Sequence, residues 1–209
     1  MFEQFMKDAA EVAEQAIETV TETVKQSAKS LIDGGAQTIG FAAVREWTPT
    51  PRPGEYILAL VAYTQIDTFS CGAVAGASVV KSFYPRAKFE DFYARVDPDQ
   101  ETGTSTSVLR KALRQSGIAL RSARLSYKNL LAQIRKGYPV IVVIRNPGAE
   151  SYHWVVAYGF GRDHIILASN GIPWVHKKRI TRKDFMAIWQ RGHAGLVCWA
   201  ERRRLRRIR

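Results

Sequence analysis

The chain has 209 residues, 46% apolar and 24% charged, enough to bury one good core and carry a small appendage. Two cysteines, Cys71 and Cys198, exclude a disulfide framework, and no stretch approaches eighteen uninterrupted apolar residues, which excludes a membrane-spanning helix. The net charge of +12 is uneven: residues 1–33 carry −4 and the rest +16, so the two parts should attract each other.

Residues 1–35 read as an N-terminal segment of their own. An amphipathic, acidic helix is expected over 1–33, with Phe2, Met6, Ala9, Ala13, Ala16, Val20, Val24 and Leu31 recurring at three- and four-residue steps. Asp33-Gly34-Gly35 would end it, because glycine beyond a helix accepts the left-handed conformation. Its apolar stripe needs cover, from the body of the chain or from a partner helix, and its negative charge argues against an anionic membrane. Residues 36–55, with Pro49, Pro51, Pro53 and Gly54, read as a linker. The domain proper is expected over 56–200, opening with the apolar run Tyr56 to Tyr63.

Within it the pattern gives helices from Cys71, near Phe89–Ala94, near Ser107–Ser116 and over Tyr127–Lys136. Strands are expected at Ile118–Ala123, near Val140–Ile144, at Tyr152–Phe160, at Ile165–Ala168 and near Gly195–Ala200. Helices first and antiparallel strands later make an α+β fold.

The chemistry concentrates in four residues. Ser70-Cys71-Gly72 closes a polar loop and opens a run of small and apolar residues, so Cys71 is expected at a helix N-terminus, where unpaired amides and the dipole favour a thiolate. Gly72 keeps the first turn slim for a close neighbour or a substrate backbone. Gln65 can set its side-chain N–H beside the Cys71 amide, where the oxygen of a tetrahedral intermediate would develop, and Asp67 can brace the loop between them. His153 begins one strand and Asn170 follows the next, and an antiparallel pair brings those ends together as base and orienter. Gly103, Thr104, Tyr152 and Trp154 are candidates for the cleft wall. In chain order Gln65, Cys71, His153 and Asn170 supply the parts of a thiol peptidase.

The stretch from Tyr63 to about Trp199 resembles the bacteriocin-processing, double-glycine leader peptidases and their stand-alone relatives, a branch of the papain-like superfamily. The matching pieces are Gln65-Ile66-Asp67, Ser70-Cys71-Gly72-Ala73, Gly103-Thr104-Ser105, Gly137-Tyr138-Pro139-Val140-Ile141-Val142 and His153-Trp154-Val155-Val156. The resemblance implies a papain-like fold, with the cysteine helix packed on an antiparallel sheet that carries His153 and Asn170. It implies a peptide or protein substrate and peptide-bond hydrolysis through an acyl-enzyme. That branch usually shows aspartate where this chain has Asn170, an asparagine familiar from other papain-like enzymes. Val24 and Ile32 before Gly34-Gly35 also resemble a leader of this kind, so self-cleavage after Gly35 is one expectation, with Lys29 and Thr21 standing where such leaders present apolar residues. Two other readings share the residues: an idle papain-like scaffold, and an acyltransferase or deamidase.

Cys198, in Leu196-Val197-Cys198-Trp199, is expected to be an inert core thiol. His164, His176 and His193 lack metal-ligand spacing, so neither a metal nor a cofactor is expected. Residues 201–209, ERRRLRRIR, read as an Arg-rich tail that joins Lys177, Lys178, Arg179, Arg182 and Lys183 in a basic flank open to an anionic partner, without a motif for sequence-specific nucleic-acid binding. The N-terminus, Met1-Phe2-Glu3-Gln4-Phe5, lacks the basic and apolar regions of a secretion signal. The expected compartment is the cytoplasm, with peripheral attachment to a membrane or assembly left open.

Overall fold

The computed structural model describes residues 46–47, 50–65, 67–145, 151–168, 177–189, 194–201 and 203–208, all within the compact unit Val44–Arg209. The expected helix over 1–33, the Gly34-Gly35 stop and Asn170 lie outside the described residues.

Helix α1 (Cys71–Phe83) is the core of the helical part, with eleven of its thirteen residues buried. Such burial is possible because the residues are small: a Cβ on Gly76 would fall 2.5 Å from the Phe92 ring and one on Gly72 2.6 Å from Thr104 Cβ. Two helical serines bind the preceding segment: Ser78 Oγ accepts from the Tyr63 amide and Ser82 Oγ from the Val61 amide, while each hydroxyl also donates to a carbonyl one turn back. Against α1 pack α2 (Phe89–Val96) and α3 (Thr106–Gln115). The Ser105 side chain caps α3 by accepting from the Val108 amide.

The sheet follows. Short strands β1 (Glu46–Trp47) and β3 (Ala62–Tyr63) pair with each other, and eight more strands form the main antiparallel sheet: β2 (Tyr56–Leu58), β4 (Ile118–Arg124), β5 (Val140–Arg145), β6 (Tyr152–Phe160), β7 (His164–Ala168), β8 (Lys177–Thr181), β9 (Ala194–Ala200) and β10 (Arg207–Ile208). Strand β6 is central. It pairs with β7 over Val156–Phe160, with β5 over Tyr152–Ala157 and with β2 over Gly159–Phe160, so β2 and β5 lie end to end along one edge of β6 while β7 takes the other. Beyond β5 come β9 and then β4, and β8 lies outside β7. Helices α4 (Tyr127–Arg135) and α5 (Arg182–Ile188) connect strands, each capped by the residue before it, Ser126 and Thr181.

Strands β8 and β10 and helix α5 are additions to the sequence reading. The chain after Ala200 does not leave the body: Leu205 is buried and Arg207–Ile208 pairs with Ile57–Leu58, because the apolar edge of β2 needs a partner for its amides and carbonyls. The basic flank around Arg179 is partly strand β8, which among the described residues pairs only with β7 and so forms an outer edge of the sheet.

Candidate active site

The loop before α1 is organised by one carboxylate. Asp67 Oδ1 accepts from the Phe69 amide at 3.0 Å, the Ser70 amide at 2.7 Å and Gln65 Nε2 at 3.3 Å, and Tyr93 donates to Oδ2. Gln65, 2% exposed, is thereby tied to the turn that delivers Cys71, and its Oε1 has no hydrogen-bond partner among the described residues.

Cys71 is the first residue of α1 and 8% exposed. The backbone amide of Trp154 lies within hydrogen-bond reach of its thiol, as do those of Gly72 and of Cys71 itself. The peptide joining His153 to Trp154 therefore lies beside the sulfur. The amides lower the Cys71 thiol, as a helix N-terminus should, but burial pushes it up, the Asp67 charge adds to that, and the three amides offset only part. His153, half-buried, sits at the second position of β6, opposite Ile144 of β5. On the other edge of β6, Ala168 at the end of β7 stands opposite Val156.

Cys71 opens on a cleft of about 540 Å³. One wall is Thr68 and Phe69, the second is the 100–106 segment including Gly103 and Thr104, and the third is Val143, Ser151, Tyr152 and Trp154. Among the described residues the lining of this cleft includes none of Gln65, Asp67, Gly72 and His153. Tyr152 is 56% exposed, whereas Trp154 is buried and its indole N–H donates to the Thr104 carbonyl at 3.0 Å, joining the second wall to the third. Thr104 in turn lies against Gly72, whose missing side chain makes room for it.

The sequence reading missed how the second wall is held. Asp99 and Gly103 exchange backbone hydrogen bonds, and Asp99 Oδ1 accepts from the Glu101 and Thr102 amides and the Thr102 hydroxyl. Those bonds draw the Asp99 carboxyl below its ordinary value. Gly103, at φ +71°, completes the turn, so the Asp99-Gln100-Glu101-Thr102-Gly103 pattern was the available signal.

Comparison with known proteins agrees with this architecture. Two solved structures share the fold: the peptidase domain of Streptococcus ComA, a bi-functional ABC transporter involved in a quorum-sensing pathway, and a double-glycine motif protease from an AMS/PCAT transporter in complex with the leader peptide. The first is 22% identical with a TM-score of 0.57, covering 71% of this chain and 99% of the domain. The second is 17% identical with a TM-score of 0.53, covering 74% and 99%. No curated protein sequence matches significantly. The family profile described as "Peptidase C39 family" matches residues 60–201, from within the apolar run to just past β9. On that match, which takes in both the cysteine helix and the histidine strand, the chain belongs to the peptidase C39 family, a family of cysteine peptidases with the papain-like α+β fold.

Proposed function

We propose that the protein hydrolyses peptide bonds with Cys71 as nucleophile, His153 as base, Asn170 as its orienter and Gln65 as an oxyanion donor, and that its substrates are leader peptides of the double-glycine type. The observation that carries this reading is the placement of Cys71 at the head of α1 and on an open cleft, beside the amide that follows His153. Peptide chemistry suits the cleft, whose second wall offers backbone from residues 100–106 for an extended chain to lie along. Ala168 opposite Val156 supports the role of Asn170, two residues farther on.

Burial favours the neutral Cys71 thiol over the thiolate. His153 takes the proton as the sulfur attacks the carbonyl, so no ion pair has to exist beforehand. The Cys71 amide at the head of the helix and the second Nε2 hydrogen of Gln65 receive the oxyanion; the first is given to Asp67. His153 then returns the proton to the leaving amine, and water releases the thioester. The double-glycine preference rests on the resemblance and on the leader peptide bound by the AMS/PCAT relative.

A peptide electrophile ending in Gly-Gly tests the site. Wild type should be labelled at Cys71, as located by mass spectrometry, and His153→Ala should react at least about a hundredfold more slowly. Labelling at Cys198, or equal rates in the two proteins, contradicts the assignment.

A further inference from the structure

The end of the domain remote from Cys71 carries an ordered cationic surface. Helix α1 leads about 20 Å from Cys71 to Phe83, and β6 leads about 23 Å from His153 to Phe160. At the far end the arginines lie over rings: Arg203 over Tyr84 (5.5 Å), Arg204 over Tyr138 (5.7 Å), Arg207 over Tyr56 (5.0 Å) and Arg135 over Phe160 (4.8 Å). The backbone holds these groups too, through Arg203 to the Phe83 carbonyl, Arg207 to the Glu55 carbonyl and the Tyr56 hydroxyl to the Arg135 carbonyl. Glu55, at the same end, is buried against Arg179 and His164 and offers no competing charge; Asp163 and Glu201 remain exposed. Beside the array a shallow recess of about 390 Å³ is bordered by Arg121, Lys136, Tyr138 and Trp199.

We infer that this end is a docking face for an anionic bilayer, with headgroup phosphates received by the arginines and the recess. Charge complementarity selects an anionic partner, and guanidinium groups bind phosphate oxygens through paired N–H donors. Half-exposed Tyr56, Tyr84, Tyr138 and Trp199 among the arginines supply rings with an apolar body and a polar tip, suited to the level of lipid headgroups. Single-stranded nucleic acid suits the face less well, because base stacking needs a free ring face and a guanidinium already covers one face of each tyrosine. Turn and strand ends make this surface, and its orientation leaves the Cys71 cleft directed away from the bilayer.

Sedimentation of the full chain with vesicles decides the matter. Binding is expected to phosphatidylcholine vesicles containing roughly one-third phosphatidylglycerol and not to phosphatidylcholine alone, weakening as salt is raised. The pair Arg204→Gln and Arg206→Gln, both exposed in the segment between Arg203 and Arg207, should weaken it about twenty-five-fold, from about fivefold per charge, and so should the independent pair Arg121→Gln and Lys136→Gln. The charge-matched pair Arg124→Gln and Lys128→Gln, at the opposite ends of β4 and α4, should retain binding. Equal binding to both vesicle types, equal loss in the charge-matched pair, or no vesicle binding, with or without capture of single-stranded DNA, overturns the inference.

Discussion

Cys71 and Cys198 show how far one residue type can be separated by its surroundings. Cys198 is fully buried in β9, its thiol donating to the Leu196 carbonyl, and burial pushes it up to about 12. Cys71 is also raised, yet it faces a cleft and three amides. Iodoacetamide should therefore modify Cys71 alone in the folded protein, with a rate that keeps climbing above pH 8.5, the ordinary thiol value, because only the thiolate reacts. Cys198 should react only after unfolding. A rate already flat between about pH 6 and 8 would show a preformed ion pair and contradict the general-base mechanism. Asp67→Ala should cost about 1–3 kcal/mol in a urea titration, since it strands two amides and the Gln65 side chain, and should lower kcat more than it changes KM.

At the scale of elements, the cysteine helix was legible as a run of small and apolar residues opening at Ser70-Cys71-Gly72, and the histidine strand by its aromatic and β-branched content. Strand β10 was not, since Arg207–Ile208 becomes a strand only by meeting Ile57–Leu58, about 150 residues earlier, as their register shows. Helix α5 was hidden in a charged run, although Thr181 three residues before Asp184 carried a capping signal that the structure uses. The upward pull of burial on the Cys71 thiol was also hidden: a helix N-terminus can be read from a sequence, whereas the packing that buries the sulfur is tertiary. The small residues of α1 give a further prediction. Gly76→Leu should destabilise by about 2 kcal/mol or more through overpacking against Phe92 and Leu109, read as a lower thermal midpoint. Gly72→Val should push Thr104 away and depress catalysis through the second wall of the cleft.

Across the whole molecule the sheet links two chemistries at opposite ends of the same strands. Near the cleft it presents His153, and at the far end Glu55 is clamped by Arg179, His164 and the Arg52 amide. Burial would raise the Glu55 carboxyl, but those hydrogen bonds and the Arg179 charge hold it at about 2. Its folded value is below the unfolded one, so its stabilisation is complete above about pH 4.5 and is lost as pH falls toward 2. Glu55→Gln should remove that acid-dependent component, no more than about 3 kcal/mol, from a series of urea midpoints. The central claim, that sulfur and imidazole act on one peptide in one cleft, is tested most directly by kcat/KM for cleavage of a peptide with an internal Gly-Gly. Wild type should cut after the second glycine, and Cys71→Ala and His153→Ala should each fall at least about a thousandfold at an unchanged thermal midpoint. Cleavage that survives either substitution would contradict the account.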